Sequence, residues 1–456
     1  MADIIIKKAE RVVCSAAPRR ILKDATVVIS DGRIEDVIEG RSVGIGADAI
    51  IDGRGRLVTP GLINAHVHVE ETLGMGMVPE TVRHIPWFER WILPYYDALT
   101  ETDAYYSAFL SQLLMLRCGI TCYADSANLY PESSARAASE SGIRAFVARW
   151  TCDIGKYRPS PINRCLSESE KLLKKYSKGR VRALAAVIGL NQCSNELYLS
   201  IKELADKYDV VALSHESSGH EDVLRSIKRL GMRPIENLEK IGFLSSRTLL
   251  SHLTDVSERE VGMLMRSGTK VSLCPSSELK KGKGLFQYGK LPLMIRSGLK
   301  FCLGTDTANS SNHLNVLRSI YLLALLAKDH AMDPAVMNAQ RALGIITNEG
   351  GECLGLEEGH GTIEKGRTAD VAVFDLDELE WSTTQHDAIQ WLIYGGTPSA
   401  YATIVDGRVA YAGGRFAVRH FNSLVKQFAL RAAGIKNALA ADSTREQPEG
   451  LSATKS

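Results

Sequence analysis

The sequence predicts an α/β protein: a (β/α)8 TIM barrel with a small composite β-sandwich built from both chain ends. Three observations carry this expectation. Eight short apolar runs rich in β-branched residues alternate with helical stretches through the middle of the chain. The two ends instead show strand patterns punctuated by Asp-Gly. Histidines fall at the C-terminal ends of several runs, the face on which such barrels display their active sites.

At the N-terminus, IIIKKAERVV, ATVVISDGRIEDVIEG and AIIDGRGRLV read as strands, because Asp-Gly supplies the positive φ that tight hairpins need. The texture returns in GTIEKGRTADVAVFDL and YATIVDGRVAYAGGRF. We therefore expect residues 1–58 and 359–420 to form the β-sandwich and residues 59–358 the metal-binding catalytic barrel. Residues 421–456 are expected to form a C-terminal helix and a disordered tail, since almost no large apolar side chain follows Leu439. The barrel runs are LVTPGLINAHV, GITCYADS, IRAFVARWT, VRALAAVIGL, VVALSHE, RTLLSHL, KVSLCPS and LKFCLGTD. Segments between them, such as NELYLSIKELADKYD and LNVLRSIYLLALLAKD, space apolar residues by three and four, as helices do. Ser257 is placed to cap one helix, and Gly119, Gly231 and Gly268 to end others.

Composition narrows the class of function. With 456 residues, 45% hydrophobic and 24% charged, the chain can bury a large core, which excludes wholesale disorder. Lys plus Arg number 55 against 53 Asp plus Glu, and no basic block interrupts that balance, so no nucleic acid partner is expected. No stretch approaches the roughly 20 apolar residues needed to cross a bilayer, so we expect no membrane association and a cytoplasmic protein. The nine cysteines contain no CxxC pair, the closest being Cys118 and Cys122, and read as buried free thiols.

His66 and His68 end the first run, His215 the fifth, His252 the sixth and Asp306 the eighth. Strand side chains alternate faces, so the two histidines of HVH can face one point in the barrel mouth. A nitrogen from His215 and an oxygen from Asp306 complete a mixed set suited to one divalent ion, zinc first, with iron, cobalt, manganese or nickel compatible. Such an ion would lower the pKa of a bound water from 15.7 towards about 7 and so provide hydroxide at neutral pH. A lone strand histidine is more commonly a core residue than a ligand, and Asp306 alone could be a turn residue in GTDTANSS. Four strand ends carrying suitable residues in one register are harder to explain that way. The remaining histidines are read mostly as solvated.

PGLINAHVH after IDGRGRLV, the strand-end His215 and His252, GTD with Ala308, Ser311 and Asn312, and GTIEKGRTADVAVFDL together resemble the amidohydrolase superfamily. More narrowly they are similar to its triazine hydrolase and S-adenosylhomocysteine/methylthioadenosine deaminase branch, the chlorohydrolase-like group. The resemblance covers residues 1 to about 420. It implies metal ligands at His66, His68, His215 and Asp306, with His252 as a catalytic histidine beside them, and a homo-oligomer. Binuclear members place a lysine at the end of the fourth strand; VRALAAVIGLNQ has none, which implies a single metal. Deaminases of the branch carry a glutamate three residues after the fifth-strand histidine. Here that position is Ser218, with Glu216 facing the opposite side of the strand and Glu221 at the next helix start.

The expected reaction is therefore hydrolysis of a non-peptide C–N bond, of amide, urea or carbamate type, in a small molecule, with Asp306 and His252 as catalytic residues. The alternative is a deaminase or dehalogenase acting on a nitrogen heterocycle such as a purine, pyrimidine or triazine. A non-catalytic barrel scaffold would be marked by missing metal-binding histidines, and none is missing. Trp87 and Trp91, in the aromatic segment after the first strand, together with Asn309 and Ser218, are candidate substrate contacts. A helix packing its aromatic face on the barrel is the other reading of that segment, and Glu70 and Glu71 are either substrate contacts or solvated.

Overall fold

Both chain ends enter one nine-stranded sheet in the computed structural model, which describes residues 2–441 apart from 41–43, 45, 190, 358, 377, 385–386 and 396–398. The N-terminal contribution is β1 (Ala2–Ser15), β2 (Arg20–Ser30), β3 (Arg33–Glu39), β4 (Ala47–Asp52) and β5 (Arg56–Pro60). The C-terminal contribution is the last four strands, β15 (Val371–Asp375), β16 (Ala402–Val405), β17 (Arg408–Ala412) and β18 (Arg415–Phe416). The join is antiparallel pairing of β15 with β5, which sets Val373 opposite Val58. Ile4, Ile6, Val12, Val27, Val58, Val371 and Ile404 share one apolar cluster, so the two ends bury a common core. The predicted turns at Asp31-Gly32 and Asp406-Gly407 both have positive φ at each residue.

The middle of the chain supplies β6 (Leu62–Val67), β7 (Ile120–Asp125), β8 (Arg144–Val147), β9 (Val181–Ala183), β10 (Ala185–Val187), β11 (Ala212–Glu216), β12 (Thr248–His252), β13 (Lys270–Leu273) and β14 (Phe301–Leu303). They pair in parallel as a four-stranded sheet, β6 to β9, and a five-stranded sheet, β10 to β14. Every one of the eight predicted runs contributes to them. The first run is divided, however: its opening residues lie in β5 and only those after Gly61 enter β6. Only Leu184 separates β9 from β10, and its amide donates to Val147 O at 3.0 Å. At the other extremity the Asp306 amide donates to His66 O at 3.0 Å. Residues two apart, such as Ile63 with Ala65, Cys122 with Ala124 and Leu184 with Ala186, fall in one apolar cluster.

Helices connect these strands. Ser257 caps Glu258–Ser267 through its hydroxyl, and Gly231 and Gly268 end their helices in the left-handed conformation. The last helix spans Phe421–Ala441, and the expected tail, from 442 on, lies outside the described residues. Eight of the nine free cysteines are buried, as expected of structural thiols. Among the described residues no helix is long and apolar enough to cross a membrane.

One buried ion pair ties the parallel strands to the nine-stranded sheet. Arg144 of β8 donates from Nε and a terminal nitrogen to the two carboxylate oxygens of Asp370, at 3.0 and 3.2 Å. Asp370, just before β15, also accepts the Asp406 amide at 2.7 Å. The two side chains are 9% and 3% exposed, so either partner alone would be a poorly compensated buried charge. Arg144→Ala is expected to lower unfolding stability by about 3–5 kcal/mol, read from urea denaturation. A loss under about 1 kcal/mol would mean that the pair does not join the two sheets.

Candidate active site

The strand ends bring together side chains that are far apart in sequence. His66 lies near the end of β6 and His68 just beyond it, His215 near the end of β11, His252 closes β12, and Asp306 follows β14. His66 Nε2 and His68 Nε2 each lie 3.7 Å from Asp306 Oδ1, and His215 Nε2 lies 3.2 Å from His68 Nε2. His66, His68 and Asp306 form a set able to hold a metal, with ligand atoms within 4.8 Å of one another. Two nitrogens on one tetrahedral zinc, at about 2.0–2.1 Å each, would stand about 3.3 Å apart, close to the His68–His215 separation.

The backbone enforces this convergence. A Cβ at Gly304 would sit 2.4 Å from His66 Cβ and 2.6 Å from His66 O, so only glycine lets the chain after β14 pass so near β6. Asn64 clamps the same junction, donating to Thr305 Oγ1 at 2.8 Å and accepting the Thr305 amide at 3.1 Å. His252 and Asp306 both have positive φ, at 79° and 58°, a strained conformation maintained only where the surroundings impose it.

The side-chain environment suits cation binding. Ser126 Oγ lies 2.6 Å from His66 Nδ1, which orients the ring, while buried His66 Nε2 has no hydrogen-bond partner among the described residues. The Nδ1 atoms of His68 and His215 are likewise unpartnered there. Burial pushes His66 down to about 4 and holds His215 and His252 well below the usual imidazole range, so these rings are neutral at pH 7 with a lone pair to offer. Burial opposes ionisation of Asp306, yet the adjacent His66 imidazole and the Lys283 charge keep its carboxyl well below the usual carboxylate range. Ser277 Oγ donates to Asp306 Oδ2 at 2.6 Å, and Lys283 Nζ stands 3.8 Å from the same oxygen.

These groups open onto a pocket of about 820 Å³, counting its mouth. Trp87, Phe88, Trp150 and Tyr157 form its aromatic wall, and His68, His215, His252, Asp306, Ser218 and Lys283 also line it. Phe88 stacks towards Trp150 and meets Tyr157 edge-on. Of the four candidate substrate contacts, Trp87 and Ser218 line the pocket, whereas Trp91 and Asn309 are not among its lining residues. Asn309 lies behind the wall: it accepts from Trp87 Nε1 at 3.2 Å and donates to Glu71 at 2.7 Å.

Several neighbours depart from the sequence expectation. Of the two glutamates read as substrate contacts or solvated, Glu71 lines the pocket and accepts the Tyr96 hydroxyl, while Glu70 is buried and accepts the Leu129 and Tyr130 amides. His84 lines the pocket, and His360 is buried within 3.5 Å of Asp370. Glu216 bonds Tyr198 and Ser214 and is not among the lining residues, and Glu221 opens the helix His220–Leu230, both as expected. Sequence reasoning missed Ser126, Ser277, Glu278 and Lys283. The last three belong to CPSSELKKGKG, whose only signal was its position immediately after a parallel strand.

Gly304→Ala is expected to destabilise the protein by about 1–3 kcal/mol or more through overpacking against His66. It should also lower the zinc content of purified protein, read by elemental analysis. Unchanged unfolding with full zinc content would show that β6 and the chain after β14 do not meet as described.

The amidohydrolase family profile matches residues 57–410. The chain is 30% identical over 395 residues to 5'-deoxyadenosine deaminase of Methanothrix thermoacetophila, covering 86% of this chain and 91% of that one. It is 30% identical over 410 residues to 5-methylthioadenosine/S-adenosylhomocysteine deaminase of Acetivibrio thermocellus, covering 89% and 93%. An adenosine deaminase of Xanthomonas campestris with bound zinc shares the fold, with a TM-score of 0.89 at 24% identity over 96% of this chain and 99% of that one. Atrazine chlorohydrolase of Arthrobacter aurescens TC1, complexed with zinc, aligns with a TM-score of 0.85 at 25% identity, covering 94% and 100%. By its family match, its strand-end histidines and its fold, this chain belongs to the amidohydrolase family.

Proposed function

We propose that the chain is a metal-dependent hydrolase that cleaves an amide, urea or carbamate C–N bond of a small molecule. The observation that carries the reading is the meeting of His66, His68, His215 and Asp306, the last three of which line an aromatic pocket. The reading takes the two parallel sheets as one closed eight-stranded barrel, residues 59–358, with residues 1–58 and 359–420 as its sandwich. The hydrogen bonds from Leu184 to Val147 and from Asp306 to His66 support that closure. Nine unpaired cysteines fit a reducing compartment such as the cytoplasm.

His66, His68, His215 and Asp306 would hold one divalent ion, zinc first. The unpartnered His66 Nε2, the neutral imidazoles and the zinc in the similar atrazine chlorohydrolase support this choice. Such an ion supplies Lewis acidity and lowers the pKa of water it binds towards about 7. Asp306 takes up the proton released as water adds to the carbonyl carbon, and returns it to nitrogen as the C–N bond breaks. Ser277 steadies Asp306 by donating to its Oδ2. His252, facing the pocket, donates to the oxygen of the attacked group as charge develops there. No covalent enzyme intermediate is involved. Trp87, Phe88 and Trp150 give a flat substituent an apolar surface.

Ser218 is the observation that favours a carbonyl over a ring carbon. Attack on a heterocycle profits from protonating a ring nitrogen, and the Ser218 hydroxyl, 3.4 Å from Asp222 and 3.5 Å from His84, is a poor acid. The second reading, deamination or dehalogenation of a nitrogen heterocycle, is favoured by the deaminase relatives at 30% identity.

The deciding experiment is a screen of zinc-loaded protein against amides, phenylureas, carbamates, aminopurines and triazines, measuring ammonia and substituted amines separately. Substituted amine without ammonia is expected; ammonia from aminopurines would replace the primary reading with the second. His66→Ala and Asp306→Ala should abolish turnover with circular dichroism unchanged, and activity retained within about tenfold would refute their roles. Ser218→Ala should cost less than about tenfold in kcat/KM, or about 1.4 kcal/mol; a loss of several thousandfold would make Ser218 essential.

A further inference from the structure

Glu278 is a buried acid that this mechanism leaves unused. It lies in the short helix Pro275–Lys280 with no exposed surface. Its Oε1 stands 3.3 Å from His252 Nδ1 and 3.3 Å from the Cys274 amide, while Oε2 has no hydrogen-bond partner among the described residues. Among those residues its only ion-pair neighbour is His252 itself. Lys283, the nearby cation, is paired with Asp306 instead.

A bare carboxylate in this position would leave one oxygen desolvated and unpaired, with no hydrogen-bonded cation in compensation. A neutral carboxyl escapes that cost and has an O–H to give. Burial pushes Glu278 up to about 8, which favours the neutral carboxyl at pH 7. A neutral imidazole carries one N–H. When Nδ1 accepts from Glu278, that hydrogen must sit on Nε2.

We propose that Glu278 is a positioning residue that keeps its proton and donates it to His252 Nδ1, so that His252 presents Nε2–H to the substrate. This inference rests on the reading of His252 as donor to the attacked oxygen. The pair begins and ends turnover in the same protonation state, so it neither consumes nor releases a proton. An ionised Glu278 would do the opposite: it would draw the hydrogen to Nδ1 and leave Nε2 as a bare acceptor, unable to stabilise negative charge.

The decisive measurement is the nitrogen NMR spectrum of zinc-loaded protein labelled with ¹⁵N-histidine, which identifies the protonated ring nitrogen of His252 without any substrate. The expected result is Nε2–H with Nδ1 as acceptor, retained in Glu278→Gln, whose amide can also donate, and lost in Glu278→Leu. A wild-type ring protonated on Nδ1 alone would overturn the proposal.

Kinetics on the fastest phenylurea or carbamate of the screen give an independent reading. Glu278→Leu should lower kcat by about 100-fold, the usual cost of losing one transition-state donor, with KM and zinc content little changed. Glu278→Gln should stay within about tenfold of wild type. Gln as damaging as Leu would show that the negative charge is what matters and would overturn the proposal, as would a fully active Leu variant. Because Gln preserves size and bonding, the comparison survives if the Leu variant fails to fold. His252→Ala run alongside separates the two levels of argument. If it is as active as wild type, the reading of the site fails; if it is inactive while Glu278→Leu is not, only the present inference fails.

Discussion

The site depends on one close backbone approach, that of Gly304 to His66. The chain leaves β14 within van der Waals reach of β6, and the Asp306 amide completes the junction by donating to His66 O at 3.0 Å. Without that approach the carboxylate of Asp306 would not stand 3.7 Å from two histidine nitrogens contributed by the opposite end of the parallel array. The Asn64 clamp on Thr305 serves the same junction, and the positive φ at Asp306 is the strain that it sustains. Geometry held this firmly needs little reorganisation when charge develops, and that preorganisation is the source of most electrostatic catalysis.

A second junction carries the first. The nine-stranded sheet, assembled from chain ends more than 300 residues apart, is coupled to the parallel strands through Arg144 and Asp370. The pair lies on β8 and just before β15, away from the strand ends that carry the histidines. Stability and chemistry are thus assigned to different regions, in keeping with barrels whose active face is built by the segments that follow their strands. Splitting the first apolar run at Gly61 is part of the same arrangement: β5 belongs to one sheet, β6 to the other, and a single residue turns the chain between them.

The segment from Cys274 to Lys283 gives the site most of its polar support. Ser277 bonds Asp306, Glu278 bonds His252, and Lys283 adds a positive charge beside Asp306. Behind the aromatic wall, Asn309 links Trp87 to Glu71, and Tyr96 bonds Glu71 in turn. Buried carboxyls are costly, and here Glu278 bonds the pocket-lining His252, Glu71 itself lines the pocket, and Glu70 holds the Leu129 and Tyr130 amides. Fixing side chains through such bonds restricts their rotamers, which preorganises the pocket wall and the strand-end groups.

Periodicity and residue type alone located the eight parallel runs, because apolar β-branched runs between amphipathic stretches have few other solutions. The HVH pair was legible because strand alternation is a local rule, and His215, His252 and Asp306 because they sit at equivalent places on the fifth, sixth and eighth units. Pairings across long sequence separations were not legible: Ser126 with His66, Ser277 with Asp306, and Glu278 with His252 follow from how the strands are arranged around one another, which no spacing encodes. The same holds for the aromatic segment, where sequence could not separate Trp87, which lines the pocket, from Trp91, which does not, or show that Asn309 stands behind Trp87. The sequence by itself determined which residue types stand at the strand ends; tertiary structure alone decided which atoms meet there, since hydrogen bonding and burial depend on distances between segments that the chain order leaves free.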